Sequence, residues 1–227
     1  MREVLKKLGP SLRAVGFRGS GQYFRKKEGD FIFVVNLQGS RWGDVFYINL
    51  GAQPIFIPTD SNTDPDPKRL KEYECILRRR VGDQWRWVMS DAMFGKLEAE
   101  LLATLKDFFG HAHGLRESIA VASPETLIHE FSSGTTDARA ALHLARGSLA
   151  LGYPDKASAL AMLGLELAGE RASVLRFELK KLLDAASAKI EIPHRGRDLE
   201  FPPLTDDELV VNAEETFLEL DQLARQQ

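Results

Sequence analysis

Polar side chains recur at every second position in three apolar stretches of the chain, and they are its strongest candidates for chemistry. The candidate set comprises Asn36, Gln38, Ser40, Asn49, Arg78 and Arg80, with the tryptophans Trp42 and Trp85 at neighbouring turns. A period of two places side chains on one face of a sheet when the stretches pair as strands. Amide, guanidinium and indole groups on one surface suit an anion, a peptide strand or a nucleobase. We therefore expect a binding surface on the polar face of a sheet.

A structural interpretation of the same residues stays open. The amides can satisfy backbone groups at strand ends, and arginines on a solvated sheet face need no ligand. The tryptophans lie near glycine turns, where large rings either cap the edge of the core or present a flat stacking surface.

Three consecutive arginines, residues 78–80, cannot all face the same way on a strand. Two point to one face and one to the other, and the inward arginine needs an anionic partner. Glu74 and Asp44 are the expected partners. As a nucleic-acid site the run is weak, because it has few basic neighbours and the sequence pI is about 6.0. We expect no nucleic-acid partner.

No motif for catalysis or cofactor binding accompanies these residues. His111 and His113 have no third ligand nearby, so no metal site is predicted. Cys75 is the single cysteine and lies in an apolar stretch, which is typical of a small buried side chain. Gly19 and Gly21 precede a strand, whereas a phosphate-binding loop follows a strand and opens a helix. We expect no cofactor and favour a non-enzymatic protein.

A β-hairpin predicted over residues 31–51 positions most of the candidate residues. Strands are also expected at 22–27 and 74–82, and amphipathic helices at 2–15 and 91–109. A proline inside the first helix predicts a bend or restart there. This order predicts an α+β fold, with a four- or five-stranded antiparallel sheet that carries both helices on one face.

The second half of the chain is helical in pattern. Residues 110–114, GHAHG, are typical of a joint between two units, and we expect a loop there. Helices are expected to begin near Pro124, Thr136, Pro154, Arg171 and Thr205, the second and third forming a helical hairpin. Residues 1–110 carry a net charge of +4 (18 Lys and Arg against 14 Asp and Glu), whereas residues 111–227 carry −7 (12 against 19). We predict an α+β domain over 1–110 and a helical unit over 111–227.

Composition places the chain among soluble globular proteins. Hydrophobic residues make up 44% and charged residues 28%, and no apolar run reaches the roughly 18 residues that a membrane span needs. The N-terminal stretch has the pattern of an amphipathic helix and not of a signal-peptide core. One cysteine cannot form an internal disulfide, which agrees with a reducing compartment. We expect a cytoplasmic protein that does not contact membranes.

The stretch VVNLQGSRWGDVFYINLG, with GFRGSGQYFRKKEGD before it and ECILRRRVG after it, resembles the bacterial family called domain of unknown function 4304. Members of that family combine a GF…G…F.R lead-in, a VNLQ.S.WG…Y.NLG hairpin and a later EC..R.R.G strand. The resemblance covers roughly residues 1–110. It implies a bacterial protein, and it implies no activity or catalytic residue, because the family has none established.

Two functions are compatible with these observations. The first is a non-enzymatic protein-interaction module, immunity-like by analogy, that binds another protein through the polar sheet face or an exposed edge strand. The second is a small-molecule or anion-binding or catalytic pocket, built from Asn36, Gln38, Asn49, Arg78 and Arg80. A pocket requires these groups to converge in a concave site with perturbed titratable neighbours. An interaction module instead requires a flat or edge-strand surface with exposed Trp or Tyr.

Overall fold

The computed structural model describes residues 2–41, 43–59 and 62–188. Within these ranges the strands are β1 (Arg18–Ser20), β2 (Tyr23–Glu28), β3 (Phe31–Gly39), β4 (Val45–Pro54) and β5 (Leu77–Arg86). The helices are α1 (Arg2–Ala14), α2 (Asp91–Val121), α3 (Pro124–Phe131), α4 (Asp137–Ala150), α5 (Pro154–Leu167) and α6 (Ser173–Ser187). The predicted α+β class, with a helical C-terminal part, is confirmed. The helix predicted from Thr205 lies outside the described residues.

The five strands form one antiparallel sheet in sequence order, from β1 to β5. The predicted hairpin is the pair β3 and β4, in which Asn36 lies opposite Asn49. The pairing of β4 with β5 then places Asn49 opposite Arg80, and Gly51 opposite Arg78. Because directly opposite residues share a face, the amides and these two arginines lie on the same face of the sheet.

Two strands differ from the prediction. β1 has three residues, one of them Gly19 with a φ of +142°, so it carries no period-two apolar signal. β5 begins at Leu77 and not at Glu74, because Glu74 ends a short 3-10 helix, Glu72–Glu74. The strand continues through Trp85, with a register shift in its pairing with β4.

One face of the sheet packs against α1 and α2, as predicted. The core between them includes Leu8, Leu12, Phe33, Val35, Ile48, Leu50, Leu97, Leu101 and Phe108. α1 is a single helix that contains Pro10, so the predicted restart does not occur. Pro10 is exposed, and the carbonyl that loses its partner one turn earlier can therefore bind water.

Helix α2 runs without a break through residues 110–114, so the prediction of a loop there is wrong. Ala112, Leu115 and Ile119 continue the apolar face of the helix and are fully buried. Their burial outweighs the cost of about 1 kcal/mol that each helical glycine adds. The division into domains at residue 110 stays a prediction, and α2 spans that boundary.

Helix α4 is the centre of the helical part. Nearly all of its residues are buried, because small alanines let α5 and α6 pack closely against it. α4 and α5 form the predicted helical hairpin across a turn at Gly152. On another side, a Cβ atom at Gly147 would lie 2.8 Å from Cδ1 of Ile57 and 3.1 Å from Cδ1 of Ile119. α4 therefore packs directly against both the sheet part and α2.

The second face of the sheet is only partly covered. Residues 55–59 and 62–76, which we call the covering segment, lie between β4 and β5 and cover part of this face. A small apolar cluster lies between them, formed by Ile32, Val34, Ile55, Leu70 and Cys75. The side chain of Gln53 is fully buried; its Nε2 donates to the Ile57 carbonyl at 2.7 Å, and its Oε1 accepts from the Ile76 N–H at 3.0 Å. The far end of the same face, with Gln38 and Arg80, stays exposed.

Gly51 is the position where the covering segment comes closest to the sheet, so Gly51→Ala should destabilise the protein. A Cβ atom there would lie 2.7 Å from Cys75 Sγ and 2.9 Å from the Cα of Glu72. Overpacking of this kind costs about 1–3 kcal/mol, to be measured as the free energy of unfolding in urea.

Gly95→Ala in α2 is the matched control. Gly95 has nothing within 4 Å of an added Cβ atom. Its substitution should stabilise the protein by about 0.5–1 kcal/mol, because alanine favours the helix. Equal effects of the two substitutions would contradict the close approach at Gly51.

Candidate functional site

The uncovered end of the second face forms a concave surface that we call the polar cleft. Its floor on the sheet is formed by Gln38, Asn49, Arg78 and Arg80, and its walls are formed by Glu72, Tyr73 and Gly134. The cleft has a volume of about 370 Å³. The floor residues come from β3, β4 and β5, whereas the walls come from the covering segment and from the turn between α3 and α4. Three separate parts of the chain thus meet at this site.

The side chains of the floor are joined by hydrogen bonds. Arg80 Nε donates to Asn49 Oδ1 at 3.2 Å, and Asn49 Nδ2 donates to Gln38 Oε1 at 2.9 Å. Asn49 Nδ2 also lies 3.4 Å from Oδ1 of Asn36, which is buried beneath it. The guanidinium of Arg80 lies over the ring of Tyr47, 4.4 Å from its centroid. These contacts orient the guanidinium, and its terminal nitrogens are the donors that remain for a ligand.

Arg78 connects the floor to the helices. Its Nη2 donates to the carbonyl of Gly134 in the turn between α3 and α4. The turn approaches closely, because a Cβ atom at Gly134 would lie 3.1 Å from both the Cβ and the carbonyl oxygen of Arg78. The φ of Gly134 is +82°, which favours glycine. In the cleft, the guanidinium of Arg78 is therefore bound to the helical part, and that of Arg80 is bound to Asn49 on the sheet.

Glu72 is a buried carboxyl group in the wall of the cleft, and no local sequence pattern singled it out. Its side chain is 8% exposed, and its Oε2 has no hydrogen-bond partner in the described part of the chain. Burial raises the pKa of Glu72, against the opposing effect of its hydrogen bond with Tyr23. Burial also raises the pKa of the Tyr23 hydroxyl, with a further increase from the charge of Glu72. The one sequence signal for this site was that Tyr23, the hydrogen-bond partner of Glu72, belongs to a strand beside β3.

The inward arginine of the 78–80 run is Arg79, and its expected partners were wrong. Arg79 Nη1 forms an ion pair with Asp107 of α2, and its guanidinium lies 5.5 Å from the centroid of the Phe108 ring. Glu74 instead accepts from the backbone N–H of Lys71 at 2.7 Å. Glu74 and Asp44 lie close to the strands in sequence. The observed partner, Asp107, instead belongs to helix α2, which packs on the face of the sheet that Arg79 points to.

Two further predicted site residues, Ser40 and Trp85, lie outside the polar cleft. Ser40 follows β3, and its N–H donates to the Val45 carbonyl at 2.9 Å, which closes the hairpin. Trp42 lies outside the described residues. Trp85 packs against the main core, and its Nε1 donates to the Val81 carbonyl at 3.2 Å. Trp85 is therefore not on the polar face, because its register partner Phe46 faces the helices.

His111 and His113 do not share one site. On α2 they point in different directions: the His111 ring stacks on Phe131 at 4.7 Å, whereas His113 Nε2 lies 3.2 Å from Oε1 of Glu28. Over residues 2–41, 43–59 and 62–188, no group of three or more His, Cys, Asp or Glu is placed to hold a metal ion. None of the helices in these ranges has the length and apolar character of a membrane span.

Comparison with known proteins identifies one family. The model of the family described as Domain of unknown function (DUF4304) matches residues 8–108, which confirms the resemblance expected from the hairpin and its flanking motifs. The match contains all five strands and therefore the whole floor of the polar cleft. No curated protein and no solved structure matches the chain.

The buried carboxyl of Glu72 should make stability depend on pH. Its pKa is raised above the ordinary value of 4.5, so the folded protein holds this proton more tightly than the unfolded chain does. Stability from this group is fully present below about pH 4.5 and is lost as the pH rises through the raised pKa. Glu72→Gln, compared with the wild type by urea unfolding from pH 4 to 8, should therefore gain relative stability as the pH rises.

Glu125→Gln is the control with the opposite sign. The backbone N–H of Glu125 and the hydroxyl of Ser123 lower the pKa of this exposed carboxyl at the start of α3. The wild type should therefore lose its advantage over Glu125→Gln as the pH falls through the lowered pKa. A Glu72→Gln difference that is constant with pH would contradict the burial of an ionisable Glu72.

Proposed function

We propose that the protein is a non-enzymatic binding protein whose polar cleft binds the anionic group of a small ligand, a carboxylate or a phosphate. The observation that carries this proposal is the oriented guanidinium of Arg80, held by Asn49 beside Arg78. An arginine whose plane is already fixed loses little conformational entropy on binding, and its terminal nitrogens match two oxygens of an anion. The amide of Gln38 completes a polar floor.

The shape of the site supports a small ligand more than a flat protein contact. A volume of about 370 Å³ falls in the range of roughly 300–1,000 Å³ that is typical of small-molecule sites. The polar groups converge in a concave surface next to Glu72, a carboxyl group with a raised pKa. These are the features that the pocket hypothesis required. The protein-interaction hypothesis stays a prediction, in which an acidic side chain of a partner would enter the same cleft.

The lining of the cleft favours binding over catalysis. Its side chains supply hydrogen-bond donors, acceptors and positive charge, and among the described residues its lining contains no Ser, Thr, Cys or Lys to act as a nucleophile. Glu72 is the buried carboxyl group of this lining. We therefore propose recognition and not turnover.

Arg80→Ala should weaken anion binding at the polar cleft. Inorganic phosphate, titrated by calorimetry at constant ionic strength, should bind the wild type. Its affinity for Arg80→Ala should be lower by a factor of about ten or more, because charge-assisted hydrogen bonds contribute about 1.5–3 kcal/mol. Arg116→Ala is the matched control: it removes an exposed arginine of α2, which packs on the other face of the sheet. The affinity of Arg116→Ala for phosphate should stay within about twofold of the wild-type value. Absence of phosphate binding, or equal losses in both variants, would overturn the proposal.

A further inference from the structure

A second cavity adjoins the polar cleft. Its volume is about 860 Å³, and it lies between the start of β5 and the first turns of α4 and α6. The cleft and the cavity share Tyr73, Arg78 and Gly134 as lining residues. Because Arg78 borders both, the two spaces are neighbours, one over the sheet and the other over the helices.

The second cavity is basic. Arg78, Arg139 and Arg171 all line it, and within the part of the chain that the structure describes its lining contains no Asp or Glu. The hydroxyl residues Thr135 and Thr136 lie beside the arginines. Such a set of guanidinium and hydroxyl groups is suited to carboxylate or phosphate oxygens. The polar cleft differs from it, because one of its walls is the buried carboxyl of Glu72.

The first turn of α6 adds to the positive potential of the cavity. Ser173, Val174 and Leu175 line it, and the residue before them, Ala172, has no side chain that can cap the helix. The N–H groups of an uncapped first turn carry a partial positive charge of roughly half a unit. At α4 the Thr136 side chain accepts from the Arg139 N–H and caps the helix. The arginines supply most of the charge, and the start of α6 reinforces it.

We infer that the ligand of the polar cleft carries at least two anionic groups along one chain, and that the second group enters the cavity at Arg171 and Arg139. This inference rests on the proposed function, because it assigns the first anionic group to Arg80. A linear polyanion of the polyphosphate type matches two neighbouring subsites with Arg78 between them. A lone anion occupies one subsite and leaves the other empty.

The test compares orthophosphate with tripolyphosphate by calorimetry at constant ionic strength. The wild type should bind tripolyphosphate at least about tenfold more tightly than orthophosphate, since multivalent contacts add within one ligand. Arg171→Ala should weaken tripolyphosphate binding about fivefold to tenfold and leave orthophosphate affinity within about twofold of the wild type. Arg171 is the residue to change because it is exposed in the turn before α6, whereas Arg139 has a further interaction within the chain.

Three controls separate the possible outcomes. Arg171→Lys keeps the charge and should retain part of the tripolyphosphate affinity, and Arg116→Ala should retain all of it. Circular dichroism spectra that match the wild type establish that each variant is folded.

The outcomes separate the two proposals. If Arg80→Ala weakens the binding of both anions while Arg171→Ala weakens the binding of neither, the second subsite is wrong and the proposed function stands. If neither anion binds the wild type, the proposed function itself is overturned. A single-stranded oligonucleotide that binds more tightly than tripolyphosphate would also overturn the inference of a small ligand.

Discussion

The buried side chain of Gln53 holds both ends of the covering segment on the sheet. Its amide nitrogen binds the Ile57 carbonyl and its oxygen binds the Ile76 N–H, so one side chain joins the beginning and the end of a stretch of about twenty residues. Both backbone groups lie away from water, where an unpaired polar group costs about 1–3 kcal/mol. The position of the covering segment, and therefore the division of the second sheet face, depends on this pair of hydrogen bonds.

That division separates one sheet face into two regions of different character. Under the covering segment, Ile32 and Val34 form an apolar cluster with Leu70 and Cys75. Beyond its edge, the same strands continue with Asn36 and Gln38, whose hydrogen bonds reach across to Asn49. The edge itself is Glu72 and Tyr73, which form a wall of the polar cleft. The cleft lies on the part of this sheet face that the covering segment leaves uncovered.

The helical part completes the site and does not merely follow the sheet in sequence. α4 packs on Ile57 and Ile119, and the turn before it binds Arg78 through Gly134. Lys156 of α5 donates to the carbonyls of Ile119 and Ala120 at the end of α2, at 2.6 and 3.1 Å. The arginines of the cleft and of the second cavity thereby line two neighbouring spaces in a chain whose formal net charge is −3. Local charge, not net charge, determines which ligand such a surface attracts.

The sequence by itself determined the local geometry of the site. Alternation along a strand is a property of the backbone, so Asn36 shares a face with Gln38, and Arg78 with Arg80, from the order of residues alone. The pairing register of the strands then brings Asn49 to the same face. Helix starts at Ser90 and Thr136 were predicted in the same way, since a capping side chain acts within three residues. Only the tertiary structure decided that Asp107 pairs with Arg79, that α2 continues past residue 110, and that Gln53 and Glu72 are buried. Each of these depends on contacts between segments far apart in the chain, which no local pattern of residues encodes.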